Sequence, residues 1–566
     1  MNILGVHIGH DSSACLIRDG QIVADVAEER FNRTKHYGGP PVLAMDYCLK
    51  LQNLTMKDID AVAVPARGTV PQLNYLLDLK GSRQEKRSLP GRIENHTRRI
   101  LRWGRSPKPP LYIRKFPLPD SVPLVHVEHH LAHAASAYYT SGSNQKQLIV
   151  TMDGSGDGVS TGLWRGENGR IEALQRFPNE ASLGWFYGIV TEALGWWHGD
   201  GEGKTMGLAP YGDPEKARGV LDRFCPKFRG GESVELLDFQ GPFLWDQGGV
   251  LHWHFDEAYE IHALIQKYGR EHIAAEAQRV LEEQTKELLF PWLEKEKTRN
   301  LTCAGGVFLN VKLNQRIWES GRVDRQWIYP NAGDSGLAVG AALYAYHQMN
   351  PDAPIGSVDN VYWGPEYSEK EIESVLKLRQ LTYRRLNNVE EFVARQLAEN
   401  KIVAWFQGRM ESGPRALGNR SILMSCNQKE NKDIINARVK FREAFRPFCP
   451  SLLWENRHDY LEKARDEFFM ITSFTCQEPK RNKVPAVVHA DATLRPQTVQ
   501  KSFNPRFWTL INEFGRLTGE PLLLNTSFNV MNEPVINHPR EAIRCFYDNG
   551  LDLLVMDNFV LSKDHR

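Results

Sequence analysis

The chain has 566 residues, 41% hydrophobic and 25% charged, with 70 lysines and arginines against 69 aspartates and glutamates. At ~100–200 residues per domain this length predicts two large domains or three smaller ones, and the composition is that of a globular enzyme. A net charge of +1 excludes a polyanion binder that works by global charge, and no apolar run reaches the ~18 residues of a membrane span.

His7 and Asp11 follow the start at once, with no basic stretch ahead of an apolar one, so a signal peptide is not expected and a cytoplasmic protein is. Eight scattered cysteines, none in a Cys-x-x-Cys pair, read as reduced thiols rather than a disulfide frame.

In chain order, residues 3–8, 14–17 and 22–26 predict strands, with a polar loop at 9–13 and a turn at 18–21. The same grammar returns further on: a strand at 148–152, an Asp/Gly/Ser loop from Asp153, and strands at 160–164 and 170–174 around a Gly-containing turn. It is a repeat of architecture, not of identity, and it sets a polar loop at a strand end in each half. Residues 280–296 have helical periodicity. Residues 301–311 read as strand, glycine turn and helix start. Residues 337–348 are rich in Ala and Gly on one face, which can pack closely or let a ligand approach. Pro and Gly cluster at 349–368, where a domain boundary is expected, and strands at 402–406 and 522–525 belong to a second α/β domain. Residues 80–115 hold 12 Lys/Arg and two acidic residues. They read as a solvated insertion or as a patch for an anionic partner or acceptor.

Four histidines fall between positions 126 and 133. On a helix His129 and His133 share a face, with His130 and His133 as the alternative pair, and imidazoles suit first-row metals. No Glu follows the first His, which argues against a His-Glu-x-x-His protease. Asp153 and Asp334 each stand at a strand end, where open α/β sheets build sites. Two His and two Asp would leave room for substrate oxygens on a Lewis-acid metal. His10, in the first polar loop beside Asp11, can take a proton from a hydroxyl. The plain alternatives are a core or surface histidine cluster, turn-capping aspartates and a loop histidine without a role.

The second domain sets cations beside Gly, Pro and hydroxyl residues: Arg409, Arg415 and Arg420, then Lys440, Arg442 and Arg446, then Arg495, with Ser527 after a strand. Guanidinium forks and hydroxyls suit phosphate oxygens, although exposed salt bridging accounts for most arginines. No Gly-x-x-x-x-Gly-Lys-[Ser/Thr] P-loop is present.

Seven motifs in order then carry a resemblance over nearly the whole length: Gly-His-Asp-Ser-Ser-Ala (9–14), Glu-Glu-Arg-Phe-Asn-Arg-Thr-Lys-His (28–36), His-His-Leu-Ala-His (129–133), Gly-Glu-Gly-Lys-Thr-Met-Gly-Leu-Ala-Pro-Tyr-Gly (201–212), Gly-Gly-Val-Phe-Leu-Asn (305–310), Ser-Gly-Pro-Arg-Ala-Leu-Gly-Asn-Arg-Ser (412–421) and Asn-Thr-Ser-Phe-Asn (525–529). The chain resembles the O-carbamoyltransferase family that tailors antibiotics, toxins and nodulation factors. The resemblance implies an α/β protein with an N-terminal domain (1–355) of the actin/sugar-kinase/heat-shock ATPase (ASKHA) fold, close to tRNA threonylcarbamoyltransferases. It implies a C-terminal YrdC-like domain (356–566) that makes carbamoyladenylate and pyrophosphate from carbamoyl phosphate and ATP.

Carried over by motif, the resemblance implies metal ligation by His129, His133, Asp153 and Asp334 and a base at His10. It implies ATP and carbamoyl phosphate binding by Arg415, Lys440, Arg446, Arg495 and Ser527, and a carbamoyladenylate loop at Gly305, Gly306 and Asn310. The implied cofactors are a divalent metal, Fe2+ ahead of Mn2+ or Zn2+, and Mg2+ with ATP. The implied acceptor is a hydroxyl of a small molecule, a natural product. A tRNA-modifying carbamoyltransferase is the first alternative, opposed by the balanced charge and the lack of an aromatic-rich basic platform, so no nucleic acid partner is expected. A small-molecule kinase of the same fold and a non-enzymatic nucleotide-binding regulator are the others. The acceptor, the metal and the oligomeric state, a homodimer among the options, stay open.

Overall fold

The computed structural model describes residues 1–67, 76–77, 116–236, 241–247 and 249–563. The basic segment 80–115 lies outside the described residues. The chain is a mixed α/β protein built on three main sheets.

The first sheet takes β1 (Asn2–His7), β2 (Ser13–Arg18), β3 (Gln21–Ala27), β4 (Ala61–Pro65) and β5 (Leu124–Val127), in the order β3-β2-β1-β4-β5. The second takes β6 (Gln147–Gly156), β7 (Val159–Glu167), β8 (Arg170–Pro178), β9 (Asn300–Ala304) and β10 (Arg325–Ile328), in the order β8-β7-β6-β9-β10. In both sheets three strands run antiparallel and two more join in parallel. The repeated grammar of the sequence is thus a repeated sheet. Asp19-Gly20 closes the β2–β3 hairpin and Asn168-Gly169 the β7–β8 hairpin, all four residues with positive φ. A two-residue turn of this kind matches the twist of the flanking strands.

Two helices fill the space between the sheets. Helix α1 (His129–Tyr138) follows β5 but packs on β6 and β9; helix α2 (Leu337–Met349) follows β10 but packs on β1, β2 and β4. The crossing is close because its residues are small: Ala132, Ala135, Ala338, Ala341 and Ala342 are fully buried there. A Cβ on Gly340 would stand 1.9 Å from the Ala132 carbonyl oxygen, closer than any contact allows. The Ala/Gly-rich face expected at 337–348 is this seam. The helix expected at 280–296 is the second part of a longer one, Arg270–Lys295, with Glu296 as its C-cap.

The third sheet has eight strands: β11 (Arg384–Arg385), β12 (Val403–Phe406), β13 (Arg420–Ser425), β14 (Cys449–Leu453), β15 (Gln497–Val499), β16 (Leu522–Ser527), β17 (Leu553–Met556) and β18 (Phe559–Ser562), ordered β11-β18-β17-β12-β13-β16-β14-β15. Apolar clusters cover both of its faces, one with Val389–Ala398 and Pro505–Thr518, the other with Glu369–Leu378 and Pro539–Asp548. That double covering explains the apolar runs of β12 and β17.

This unit is bonded at several points to the first sheet and to the segment that follows β3. Arg409 donates to the Val23 carbonyl at 2.9 Å, and Arg33 donates to the Pro534 and Val535 carbonyls at 2.7 and 2.8 Å. Ser412 donates to the Asp25 carboxylate. All eight cysteines are buried and unpaired, in line with reduced thiols. Among the described residues no helix is long and apolar enough to cross a membrane.

Candidate active site

The histidine pair is set by the start of α1. Glu128 caps that helix, accepting from the backbone of His130 and Leu131 at 3.3 and 3.0 Å, so His129 and His133 fall one turn apart on one face. Asp153 leaves the end of β6, and Asp334 opens a short 3-10 turn after β10. His133 Nε2 lies 3.0 Å from Asp153 Oδ2 and 3.5 Å from Asp334 Oδ1; His129 Nε2 lies 3.8 and 3.6 Å from the same atoms.

One ligand atom from each of the four lies within 4.8 Å of the others. His129 Nε2 is buried without a hydrogen-bond partner, and a buried polar atom left in that state marks a group waiting for one. Two imidazoles and two carboxylates are a donor set for a first-row divalent ion. Burial works to lower the His133 pKa, yet Asp153 and Asp334 carry it up to about 9. Burial opposes the charge of Asp153, yet His129 and His133 hold its carboxyl well below the usual carboxylate range.

His130 has another task. Its Nδ1 bonds Thr151 and its Nε2 the Val159 carbonyl, both at 2.9 Å. Burial, then the neighbouring His129 and His133, push its pKa down to about 3. The alternative pairing of His130 with His133 is therefore not formed.

His10 lies in the loop between β1 and β2, held by the His7 ring, whose Nε2 bonds the His10 carbonyl at 2.8 Å. Trp253 meets the His10 ring edge-on at 5.2 Å. It belongs to the hairpin Phe243–Gln247/Val250–His254, which covers this part of the cavity with Leu244 and Trp253. Gly305 and Gly306 turn the chain after β9. Gly305 has φ +100 and donates its N–H to the Ala332 carbonyl at 2.8 Å, and Gly306 faces Asp153. Asn310 caps the helix Val311–Glu319, its Oδ1 accepting from Leu313 N at 3.0 Å, and its amide exchanges hydrogen bonds with Gln278. Its side chain thus has a structural task at the cavity wall.

The cations of the second unit gather at the other end of the cavity. Lys440 ends a π-helical turn, Asn436–Lys440, a distortion that recurs at functional sites. Its ammonium donates to the Ser527 carbonyl at 2.5 Å and to Asn529 Oδ1 at 2.7 Å. Burial and then Arg442 push its pKa well below the ordinary lysine value. Burial and then Arg495 lower Arg415 to about 9; burial and then Arg446 lower Arg442 to about 9. Arg415 Nε is buried with no partner, and Arg495 Nε points at Cys449 Sγ at 2.8 Å. These cations face one another instead of carboxylates, so the arrangement favours an anionic ligand.

Two arginines expected to share this task do not. Arg420 is fully buried, bonded to the Gln407 and Pro365 carbonyls at 2.5 and 3.1 Å and laid over Phe406. Arg409 donates to the Trp363 carbonyl as well as to Val23. Both are structural, because backbone carbonyls occupy their donors and, unlike Lys440, neither lines the cavity.

One cavity of about 1050 Å3 joins the two ends. His10, His129, Asp153 and Asp334 line it on one side, with Gly306 and Asn310 beside them; Arg415, Lys440, Arg446, Arg495 and Ser527 line it on the other. His133 and Gly305 stand behind that wall. Sequence reasoning gave no role to Lys35, His36, Asp200 or Lys204, which also line the cavity. The signal was available: all four lie in or beside the 28–36 and 201–212 motifs.

A buried His/Asp cluster and a buried cation cluster in one cavity suit transfer of a group between anionic carriers, and sequence comparison defines the class. The family model for the carbamoyltransferase N-terminus matches residues 2–343 and that for the carbamoyltransferase C-terminus matches residues 394–563. The chain belongs to the carbamoyltransferase family and is a carbamoyltransferase enzyme.

Among its relatives, it is 36% identical over 563 residues to nodulation protein NolNO of Sinorhizobium fredii, covering 98% of this chain and 79% of that one. It is 36% identical over 445 residues to nodulation protein NolO of Bradyrhizobium diazoefficiens, covering 77% and 79%. Among solved structures, full-length HypF in a phosphate- and nucleotide-bound form overlaps with a TM-score of 0.32 at 13% identity, over 62% of this chain and 56% of that one.

Proposed function

We propose that the protein is an ATP-dependent O-carbamoyltransferase that forms carbamoyladenylate at the cation-rich end of the cavity and passes the carbamoyl group to a hydroxyl at the His/Asp end. The observation that supports this most is the single cavity joining two ends of opposite chemistry. Arg415, Lys440, Arg446, Arg495 and Ser527 bind the phosphoryl oxygens of carbamoyl phosphate and of ATP with its Mg2+. Water divides carbamoyl phosphate into carbamate and inorganic phosphate. A carbamate oxygen then bonds the α-phosphorus of ATP, and pyrophosphate leaves.

Carbamoyladenylate lies along the loop that Gly305 turns, against Gly306 and Asn310. His10 takes the proton of the acceptor hydroxyl as the hydroxyl oxygen bonds the carbamoyl carbon. The bond from that carbon to the phosphate oxygen breaks, AMP leaves, and the product is a carbamate ester. His129, His133, Asp153 and Asp334 would hold a divalent ion, iron(II) first, with manganese or zinc as alternatives. Such an ion supplies polarisation of the carbamoyl carbonyl and neutralises charge that develops on its oxygen. Adenylation matters because nitrogen donation makes a carbamate a poor electrophile, and a phosphate ester oxygen is a better leaving group.

The fold assignment belongs to the same proposal. The duplicated sheets of residues 1–355 are an ASKHA-type domain, and residues 356–566 are a YrdC-like one. Gly356 still bonds Tyr139 and Gly142, while Val361 and Gly364 already bond Ser412 and Met410, which supports a division near that point. The acceptor is a small-molecule natural product, a reading that the nodulation proteins among its relatives favour.

The test is incubation with carbamoyl phosphate and ATP. Pyrophosphate is released without an acceptor, and mass spectrometry of candidate hydroxyl compounds then finds one that gains a carbamoyl group. Release of ADP in place of AMP and pyrophosphate would overturn the reading.

A further inference from the structure

His10 is one end of a chain of charges. Asp11 Oδ2 lies 3.3 Å from His10 Nε2, and Asp11 Oδ1 accepts from His36 Nδ1 at 2.8 Å. His36 Nε2 lies 3.4 Å from Asp200 Oδ1, which also accepts from Lys35 Nζ at 2.5 Å. The His10 and His36 rings stack at 5.2 Å with 12° between their planes. Asp11 and His36 both hold left-handed backbone, φ +57 and +56, which side chains other than Gly rarely adopt. His36 Nδ1 donates to Asp11, and Nε2 meets Asp200 at ion-pair distance without a formed hydrogen bond, so the ring between two carboxylates is placed to carry a charge.

Burial acts against that charge, but Asp11 first and Asp200 after it push the His36 pKa up to about 10. Asp11 and Asp200 are held well below the usual carboxylate range, against their burial, the first by His10 and His36 and the second by His36 and Lys35. The other groups around the His10 ring are His7, which bonds the His10 carbonyl, and Trp253, which brings no charge. His10 Nδ1 is buried without a partner, while Nε2 lies beside Asp11.

We propose that Asp11 and His36, pinned by Asp200 and Lys35, are positioning residues that set the basicity of His10. Asp11 Oδ2 steadies the imidazolium that forms when His10 takes the proton of the acceptor, and the charge on His36 offsets that of Asp11. The proposal rests on His10 as the base. It assigns a role to four residues that the reaction scheme leaves idle.

The experiment needs no acceptor. Diethylpyrocarbonate reacts with neutral imidazole, and peptide mass spectrometry of the full-length chain reads its reaction with His10 between pH 5 and 9. Removing the His36 charge in His36→Gln leaves Asp11 uncompensated, so the midpoint for His10 moves up by about one pH unit. Removing the anion in Asp11→Asn moves it down by a similar amount, and His36→Lys returns it towards the wild-type value. Shifts of opposite sign cannot come from general damage, and Asp11→Asn alone still decides the matter if His36→Gln does not fold.

Midpoints that stay put, or move together, overturn the proposal. So does a second equivalent of zinc per chain that His36→Gln removes, because His10, Asp11 and His36 would then be metal ligands. Failure of the underlying reading looks different: His10→Asn would leave carbamoyl transfer intact whatever the midpoints do.

Discussion

At one end of the cavity His129 and His133 face Asp153 and Asp334, and the charges close on each other. At the other end Arg415, Arg442, Arg446, Arg495 and Lys440 face one another, and among the described residues their carboxylate contact is Glu443, 4.0 Å from Arg446. The difference follows from what each end has to hold. A cation site needs anionic and neutral donors drawn together before the ion arrives. An anion site needs cations that are not already neutralised, and it keeps them at the expense of burying like charges. Backbone rigidity makes both tolerable: α1, β6 and β10 fix the first set, and the π-turn with the strands β14 and β16 fixes the second.

The sharpest way to break this comparison is to disable one end and read the other. His133→Ala lowers carbamoyl transfer by about 10³-fold and leaves acceptor-free pyrophosphate release within about twofold of wild type; equal loss of both activities would mean one site rather than two. Next, Arg495→Ala lowers pyrophosphate release by about 10²-fold while the bound-metal content, measured by plasma mass spectrometry, stays at the wild-type level.

A smaller effect reads the uncompensated cations directly. Inorganic pyrophosphate at about a hundredfold excess over its Kd adds about 2.7 kcal/mol and raises Tm by about 2–5 °C; Arg415→Leu reduces that rise, and an unchanged rise would place the anion elsewhere.

The smallest test lies at the junction that holds the two ends together. Burial pushes the Asp25 carboxyl up to about 7, although Ser412 and Asn331 oppose it. Its folded pKa lies above its unfolded one, so it favours folding fully below about pH 4, and that stability is lost as pH rises through about 7. Asp25→Asn, still able to accept from Ser412, flattens this dependence and gains about 1–2 kcal/mol at pH 8 relative to wild type. Thermal unfolding between pH 5 and 8 checks it, and parallel curves for the two proteins would rule it out.

The parts of the fold legible in the sequence are those set by short-range chemistry. Alternating strands closed by Asp19-Gly20 and Asn168-Gly169 could be read as hairpins because those pairs adopt positive φ readily. The Ala/Gly face at 337–348 could be read as a place of close approach, and only the fold shows that helix α1 rather than a ligand meets it. His129 and His133 could be paired by helical spacing, but His130 could be set aside only when Thr151 and Val159 were found bonded to it. Arg409, Arg415 and Arg420 look alike in one loop. Only their surroundings show that two of them hold backbone carbonyls and one faces the cavity.

His36 and Asp200 lie far apart in the chain, and no local pattern links them to His10. The same holds for the cavity itself, whose walls come from the first loop, α1, the glycine turn after β9 and the far sheet.

The sequence by itself therefore determined the family, the repeated sheet grammar and the types of side chain on hand, because hydrophobic period, turn residues and ordered motifs are local quantities. Tertiary structure alone decided which histidines meet which carboxylates, which arginines remain free for an anion, and that one cavity joins them. Charge pairing falls off over a few ångströms, and only the folded chain determines which groups come that close.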